Sequence, residues 1–310
     1  MNSLIKIEGK PIEKLIDVVS KAIGTVYEPR QIVRKAKAEA KSESIKAIEK
    51  AKTQAIIDGD IEKAQYLDRV NERLIIKETK RQKNIEEVVT VAGTILQTEE
   101  KVSEKPIDQD WTTRFFDIIQ DVSDDEMQIL WGQILAGEIK QPKSYSLRTL
   151  EILRNMTKEE AEIFQKVAQF ALLQGGAFLF SSNDVLEELG ISYSYIAKLI
   201  EIGLLQPGDF VTKNYSSNKT SDSKFGIKYG DLIIIIKQKV NAPKISFPVR
   251  LLTTSGTELV KLIKIIPNVD YIKKLASTIK RDDVKVSYAK IIRISNNGDI
   301  NYNSLEMVEL

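Results

Sequence analysis

Four sets of side chains in this sequence have the types and spacing to do chemistry. Asp121, Glu126 and Glu138 stand in the most acidic stretch, and carboxylates on helices can serve as ligands for a hard cation. Lys213, Lys219, Lys224 and Lys228, interleaved with Asn214, Tyr215 and Asn218, are suited to phosphate contact. Tyr193, Tyr195 and Lys198 fall on a short segment of helical rhythm, where a groove-reading helix would show its side chains. Ile12, Leu15, Ile16, Val19 and Ile23 recur at helical spacing and form an apolar stripe suited to self-association or to docking on the chain's own core.

Much other chemistry is excluded. The chain has 310 residues and neither cysteine nor histidine. Disulfides, thiolate nucleophiles, Cys-rich zinc sites and any His-dependent triad or zinc motif are therefore absent. An enzyme built on this sequence would have to use carboxylates, Lys, Tyr, Ser or an oxygen-held cation, and no such constellation stands out. Glu126 is explained as a helix-capping residue and the acidic stretch has no recognisable ligand pattern, so neither a metal nor a cofactor is expected. No run approaches about 18 apolar residues, and the N-terminus lacks the order of a secretory signal, so a cytoplasmic protein is expected.

The net charge of +2 conceals three blocks. Residues 30–83 carry 15 Lys/Arg against 9 Asp/Glu, residues 84–164 carry 8 against 17, and residues 165–310 carry 19 against 14. A basic, acidic, basic order suits complementarity within or between chains, or a basic arm for a polyanion.

These residues need elements to place them. Pro11 opens a helix that carries the apolar stripe, and Glu28-Pro29 closes it. Residues 30–85 are rich in Ala, Lys, Glu and Ile, have no proline, and are broken once at Asp58-Gly59-Asp60. Two long charged helices in a hairpin arm follow from that pattern. A polar linker at 97–110 precedes an acidic helical bundle. Ser123 with Glu126, and Thr157 with Glu160, have capping-box spacing. Between them Met127, Leu130, Trp131, Ile134, Leu135 and Ile139 make one apolar face, Gly132 and Ala136 admit a close neighbouring helix, and Gln141-Pro142 ends the helix. Trp111, Phe115, Phe116 and Trp131 read as core, and Glu138 reads as part of a polar flank.

The segment "DDEMQILWGQILAGEIKQPKSYSLRTLEILRNMTKEEAEIF" resembles the central block of an uncharacterised bacterial family, a domain of unknown function of the 2806 type. Glu126, Met127, Leu130, Trp131, Leu135 to Glu138, Pro142, Ser144 to Leu150 and Thr157 to Ala161 carry the likeness. The opening "KPIEKLIDVVSKAIGTVYEPRQIVRKAKAEA" resembles the same family. A weaker likeness runs to the Abi-alpha proteins, linked with abortive infection and phage resistance, although Lys143 stands where the pattern commonly has glycine. The resemblance implies a setting in defence or stress and no catalytic residues.

Downstream, "SSNDVLEELGISYSYIAKLIEIGLLQPG" has the rhythm helix, Gly turn, helix, followed by a β-rich stretch at 210–237 and by "LLTTSGTELVKL". That order is the plan of a helix-turn-helix with a wing. The expected fold is mainly α with a smaller α+β part: long N-terminal helices over 1–100, a central helical bundle over 107–172, a winged-helix-like C-terminal domain over 173–265, and a small α/β tail with a hairpin over 266–310.

The functional expectation is a non-catalytic interaction protein that binds a protein partner, or a second copy of itself, through the arm and the winged domain. Two alternatives remain open: a nucleic-acid-binding regulator using the wing and the basic arm, and a membrane-acting effector using residues 11–27. The mixed-sign polar face and the lack of Trp and Phe in that helix make a membrane surface the less favoured partner.

Overall fold

The computed structural model describes residues 9–24, 43–181, 184–208, 210–295 and 298–310. Glu28-Pro29, residues 30–42 and Asn183, which entered the expectations above, lie outside the described residues, as do Val26 after the stripe and Asn297 in the stretch of the expected tail hairpin. The chain divides into two compact units, Met1–Leu147 and Arg148–Leu310. Helix dominates the first, and an antiparallel sheet is added in the second.

In the N-terminal unit α1 spans Lys10–Ile23, with Pro11 in its first turn and Gly24 ending it in the left-handed region. Ile12, Leu15, Val18 and Val19 are buried, while Ile16 and Ile23 are half-buried. They pack against the helices at Ile61–Leu96 (α3), Gln109–Ile119 (α4) and Asp125–Lys140 (α5). Of the two uses suited to the stripe, self-association and docking on the chain's own core, its burial fits the second. Lys14 fixes α1 further by donating to the carbonyls of Ser103 (2.7 Å), Lys105 (2.9 Å) and Ile139 (3.1 Å), which ties the polar linker and the end of α5 to one ammonium group. Partial burial lowers the Lys14 pKa, and Glu138 nearby opposes the shift.

Helix α2 (Glu43–Ile57) and helix α3 (Ile61–Leu96) are joined by Asp58-Gly59-Asp60, as the sequence requires. Gly59 sits at φ +73°, and the Asp60 carboxylate accepts the Lys63 N–H to cap α3. Helix α4 (Gln109–Ile119) starts on Asp108 and helix α5 (Asp125–Lys140) on Asp124, whose side chain accepts the Met127 N–H. The expected Ser123–Glu126 box is therefore corrected by one residue: Asp124 is the cap. The Ser123 hydroxyl instead accepts from the Asn84 amide (3.3 Å).

Gly132 explains the closeness of α3 and α5. A Cβ there would lie 2.5 Å from Val91 Cβ and 3.0 Å from the Val88 carbonyl. Trp131, Ile134, Leu135 and Ile139 are buried beside it. Phe115 stacks on Trp111 (4.9 Å between centroids) and meets Trp131 edge-on (5.6 Å), so these rings are core. Glu138 is not on a polar flank. It is buried, and its two carboxylate oxygens accept the N–H groups of Lys143 (2.5 Å) and Tyr145 (3.1 Å), which latches the turn at 141–145.

The C-terminal unit begins with α6 (Leu147–Asn155) and α7 (Lys158–Ala168). At α7 the expected box forms in full: Thr157 accepts from the Glu160 N–H, and Glu160 accepts from the Thr157 N–H. That hydrogen bond holds the Glu160 pKa below the usual carboxylate value.

The β-hairpin β1 (Ala171–Leu173) and β2 (Ala177–Phe180) follows, then α8 (Val185–Glu188), α9 (Tyr193–Glu201), β3 (Val211–Tyr215), β4 (Ser223–Tyr229), β5 (Leu232–Gln238), β6 (Ile245–Leu251), α10 (Thr254–Val260), α11 (Val269–Ile279), β7 (Val284–Ile294), β8 (Ile300–Tyr302) and β9 (Val308–Glu309). The sheet order is β3-β6-β2-β1-β4-β5-β7-β8, with β9 on β7. Because β7 pairs with β5 along seven residues, the tail 266–310 belongs to the same sheet as 173–265.

Tyr271 of α11 is buried at the centre, where its hydroxyl donates to the Phe180 carbonyl and accepts the Phe180 N–H. Burial raises its pKa well above the ordinary phenol value. Although β6, β2 and β1 separate their strands, the rings of Tyr215 and Phe225 lie 4.5 Å apart, so the sheet is strongly curled.

Candidate functional site

The α2–α3 hairpin is the part of the N-terminal unit that its core does not cover. Its seam is made of small and aliphatic residues, with Ala55 and Ala64 buried where the helices meet. The Lys52 ammonium pairs with Asp68 across the seam. At the other end Arg81 donates to both oxygens of Asp121 (2.9 and 3.3 Å) and to Glu78, which fixes the point where α3 leaves the bundle.

Outside the seam the hairpin exposes large apolar side chains. Ile57 is 71% exposed, Ile61 68% and Ile76 63%, and Ile56, Tyr66 and Ile75 are also exposed. Ile56, Ile57 and Ile61 flank the turn. Ile61, Ile75 and Ile76 lie within about 60° of one line along α3, at about 100° per residue. Charge here is balanced, with 9 Lys/Arg and 8 Asp/Glu between residues 43 and 81. The basic excess of the longer block 30–83 comes mainly from residues ahead of the described hairpin. The sequence signal for an apolar surface on this arm consists of isolated isoleucines among Ala, Lys and Glu.

In the C-terminal unit the expected contact residues are not brought together. On α9, Tyr193 is exposed, and Ser194, Ala197 and Glu201 share its solvent face. Lys198 is salt-bridged to Glu201 (2.9 Å), which raises its pKa, with smaller contributions from Glu160 and Glu159. Tyr195 is half-buried beneath the Lys166 ammonium, 5.7 Å from its ring centroid. The exposed face of α9 thus offers no Arg, Asn or Gln to a base edge, and the helix's one lysine is paired with Glu201.

The four wing lysines go four ways. Lys213 on edge strand β3 folds over the Phe178 ring (4.2 Å) and donates to the Gln174 carbonyl (3.3 Å); burial lowers its pKa. Lys219 stands exposed in the loop between β3 and β4. Lys224 on β4 bonds the Tyr302 hydroxyl and covers its ring. Lys228 lies near the other end of β4, opposite Leu173. The expected single wing over 210–237 is corrected: β3 pairs with β6, whereas β4 and β5 leave to pair with β1 and β7.

Among the described residues no group of three or more acidic side chains is arranged to hold a metal ion, and no helix is long and apolar enough to cross a membrane. Asp121, Glu126 and Glu138 do not converge. Asp121 pairs with Arg81, Glu126 is exposed in the first turn of α5, and Glu138 is buried on its backbone latch.

Comparison with known proteins gives one result. A family model described as "Protein of unknown function (DUF2806)" matches residues 68–276. No curated protein and no solved structure matches the chain.

Proposed function

We propose, for a chain that belongs to the DUF2806 family, that it is a cytoplasmic interaction protein without a reaction of its own, and that it binds through the α2–α3 hairpin. The observation that carries this is the row of exposed isoleucines on two helices that pack, beyond the bundle, chiefly on each other. Solvent-facing helix residues gain nothing from Ile in water, and a partner that covers Ile57, Ile61 and Ile76 recovers their burial. The occupant that fits is a second copy of the chain. Balanced, interspersed charge makes the hairpin self-complementary, whereas a polyanion or an acidic partner would call for a one-signed surface.

The C-terminal unit is read as a winged-helix variant that serves packing or protein binding. Support comes from the order α7, β2, α8, α9, β3, β6 and from β6 lying between β2 and β3. The β4–β5 hairpin is inserted where the wing would be. The side chains on α9 weigh against base reading. The resemblance to Abi-alpha proteins gives the proposed setting, phage defence.

Sedimentation velocity of the full chain tests the reading. Self-association at micromolar concentration, lost in Ile57→Asp/Ile61→Asp/Ile76→Asp with no change in helix content, supports it. A wild-type chain that stays monomeric throughout overturns the second copy as occupant.

A further inference from the structure

Residues 261–268 join α10 to α11 without strand partners, yet they are held at three points. The Gln169 side chain accepts the Ile266 N–H (2.9 Å) and donates to the Lys264 carbonyl (3.2 Å). The Tyr229 hydroxyl accepts the Asn268 N–H (3.1 Å). Gly230, at φ +56° in the β4–β5 turn, passes so close that a Cβ would meet the Ile265 carbonyl at 2.7 Å and Pro267 at 2.9 Å.

This fixed segment forms one wall of a half-open groove of about 620 Å³. Its apolar lining includes Leu173, Val260, Ile263 and Ile265. Lys228, Lys261 and Lys264 also line it, against a single carboxylate, Asp231. None of the three ammonium groups has a hydrogen-bond or ion-pair partner among the described residues. Ile266, also part of the lining, is 72% exposed while its backbone is pinned by Gln169.

An apolar lining with a surplus of unpaired cations is complementary to one kind of occupant. The volume falls in the range of small-molecule sites, and an amphipathic helix needs a longer surface. We infer that this groove binds a free, single-chain amphiphilic anion, with its carboxylate or sulfonate head at Lys228, Lys261 and Lys264 and its tail along Leu173, Ile263 and Ile265. Buried tail area supplies the affinity, and the lysines select the sign of the head.

The test is calorimetric titration of the full chain with dodecanoate below its micelle threshold, beside dodecyltrimethylammonium and phosphatidylglycerol vesicles. Micromolar dodecanoate binding is expected, weakened at least about tenfold, or about 1.4 kcal/mol, in Lys228→Gln/Lys261→Gln/Lys264→Gln and retained in the corresponding triple Arg variant. The cationic amphiphile should not bind. The triple isoleucine-to-aspartate variant of the hairpin should bind dodecanoate unchanged, which keeps this result separate from the fate of the self-association reading. No binding of dodecanoate, equal binding by the Gln variant or by the cationic amphiphile, or binding to vesicles alone would each overturn the inference.

Discussion

The two halves of α3 share one helix and live in different environments. From Asn84 to Leu96 the helix buries Ile85, Val88, Val89, Ala92 and Leu96 and accepts Gly132 of α5 at close range. From Ile61 to Arg81 it buries only Ala64 fully and leaves Ile61, Ile75 and Ile76 in water. The half from Ile61 to Arg81 has no core to hold it. Its straight-chain residues of high helix propensity, the Asp60 cap and the α2 partner sustain it. Apolar side chains in the Asn84–Leu96 half stabilise the fold, whereas those in the Ile61–Arg81 half contribute only when something covers them.

Substitutions should separate the halves sharply. Gly132→Val drives two methyl groups into Val91 and should cost about 3 kcal/mol or more, read by chemical denaturation. Asn84→Ala, at the joint, removes the amide that donates to the Gln120 carbonyl (2.8 Å) and to Ser123, and should cost about 2 kcal/mol. Asp60→Ala removes the α3 cap in the exposed half and should cost about 1 kcal/mol, with loss of helix confined to the hairpin by amide exchange. Ile76→Asp should change stability by no more than about 0.5 kcal/mol while weakening self-association. A large loss from Ile76→Asp in the monomer would erase the distinction between the halves.

Glu86 marks the same joint by pH. Burial raises its pKa, more than the Gln82 hydrogen bond lowers it. The folded state therefore holds the Glu86 proton more tightly than the unfolded state, and stability falls as pH rises from the ordinary glutamate range through the raised value. Glu86→Gln should have the higher Tm at neutral pH, and the two Tm curves should converge toward about pH 4.

Local signals were legible in the sequence. The Asp58-Gly59-Asp60 turn, the apolar face around Trp131, the small residue at Gly132 and the Thr157–Glu160 box all depend on residues within a turn or two of each other. Ser123 misled because three cap-capable residues stand in a row, Ser123-Asp124-Asp125, and the choice is made by Asn84, 39 positions away, which takes the Ser123 hydroxyl. Glu138 misled because its partners are N–H groups of a turn that folds back on it, invisible to a helical wheel. The lysines at 213–228 looked like one strip because they are close in sequence. Strand pairing with residues tens of positions away disperses them, and Lys228 lines the same groove as Lys261 and Lys264 instead. The apolar stripe of α1 was read correctly as a stripe, and what it faces is a tertiary fact.

The length of α3 has a mechanical meaning. Over its 36 residues there is no proline, and the first glycine is Gly93, past the contact with Gly132. A helix without a breaker bends only gently. A load taken up at Ile61 is therefore carried along a rod of about 40 Å to Val88 and Val91, at about 1.5 Å per residue. The hairpin is thus continuous with a helix whose far end packs closely on Gly132, and the Arg81–Asp121 pair stands where it leaves the bundle.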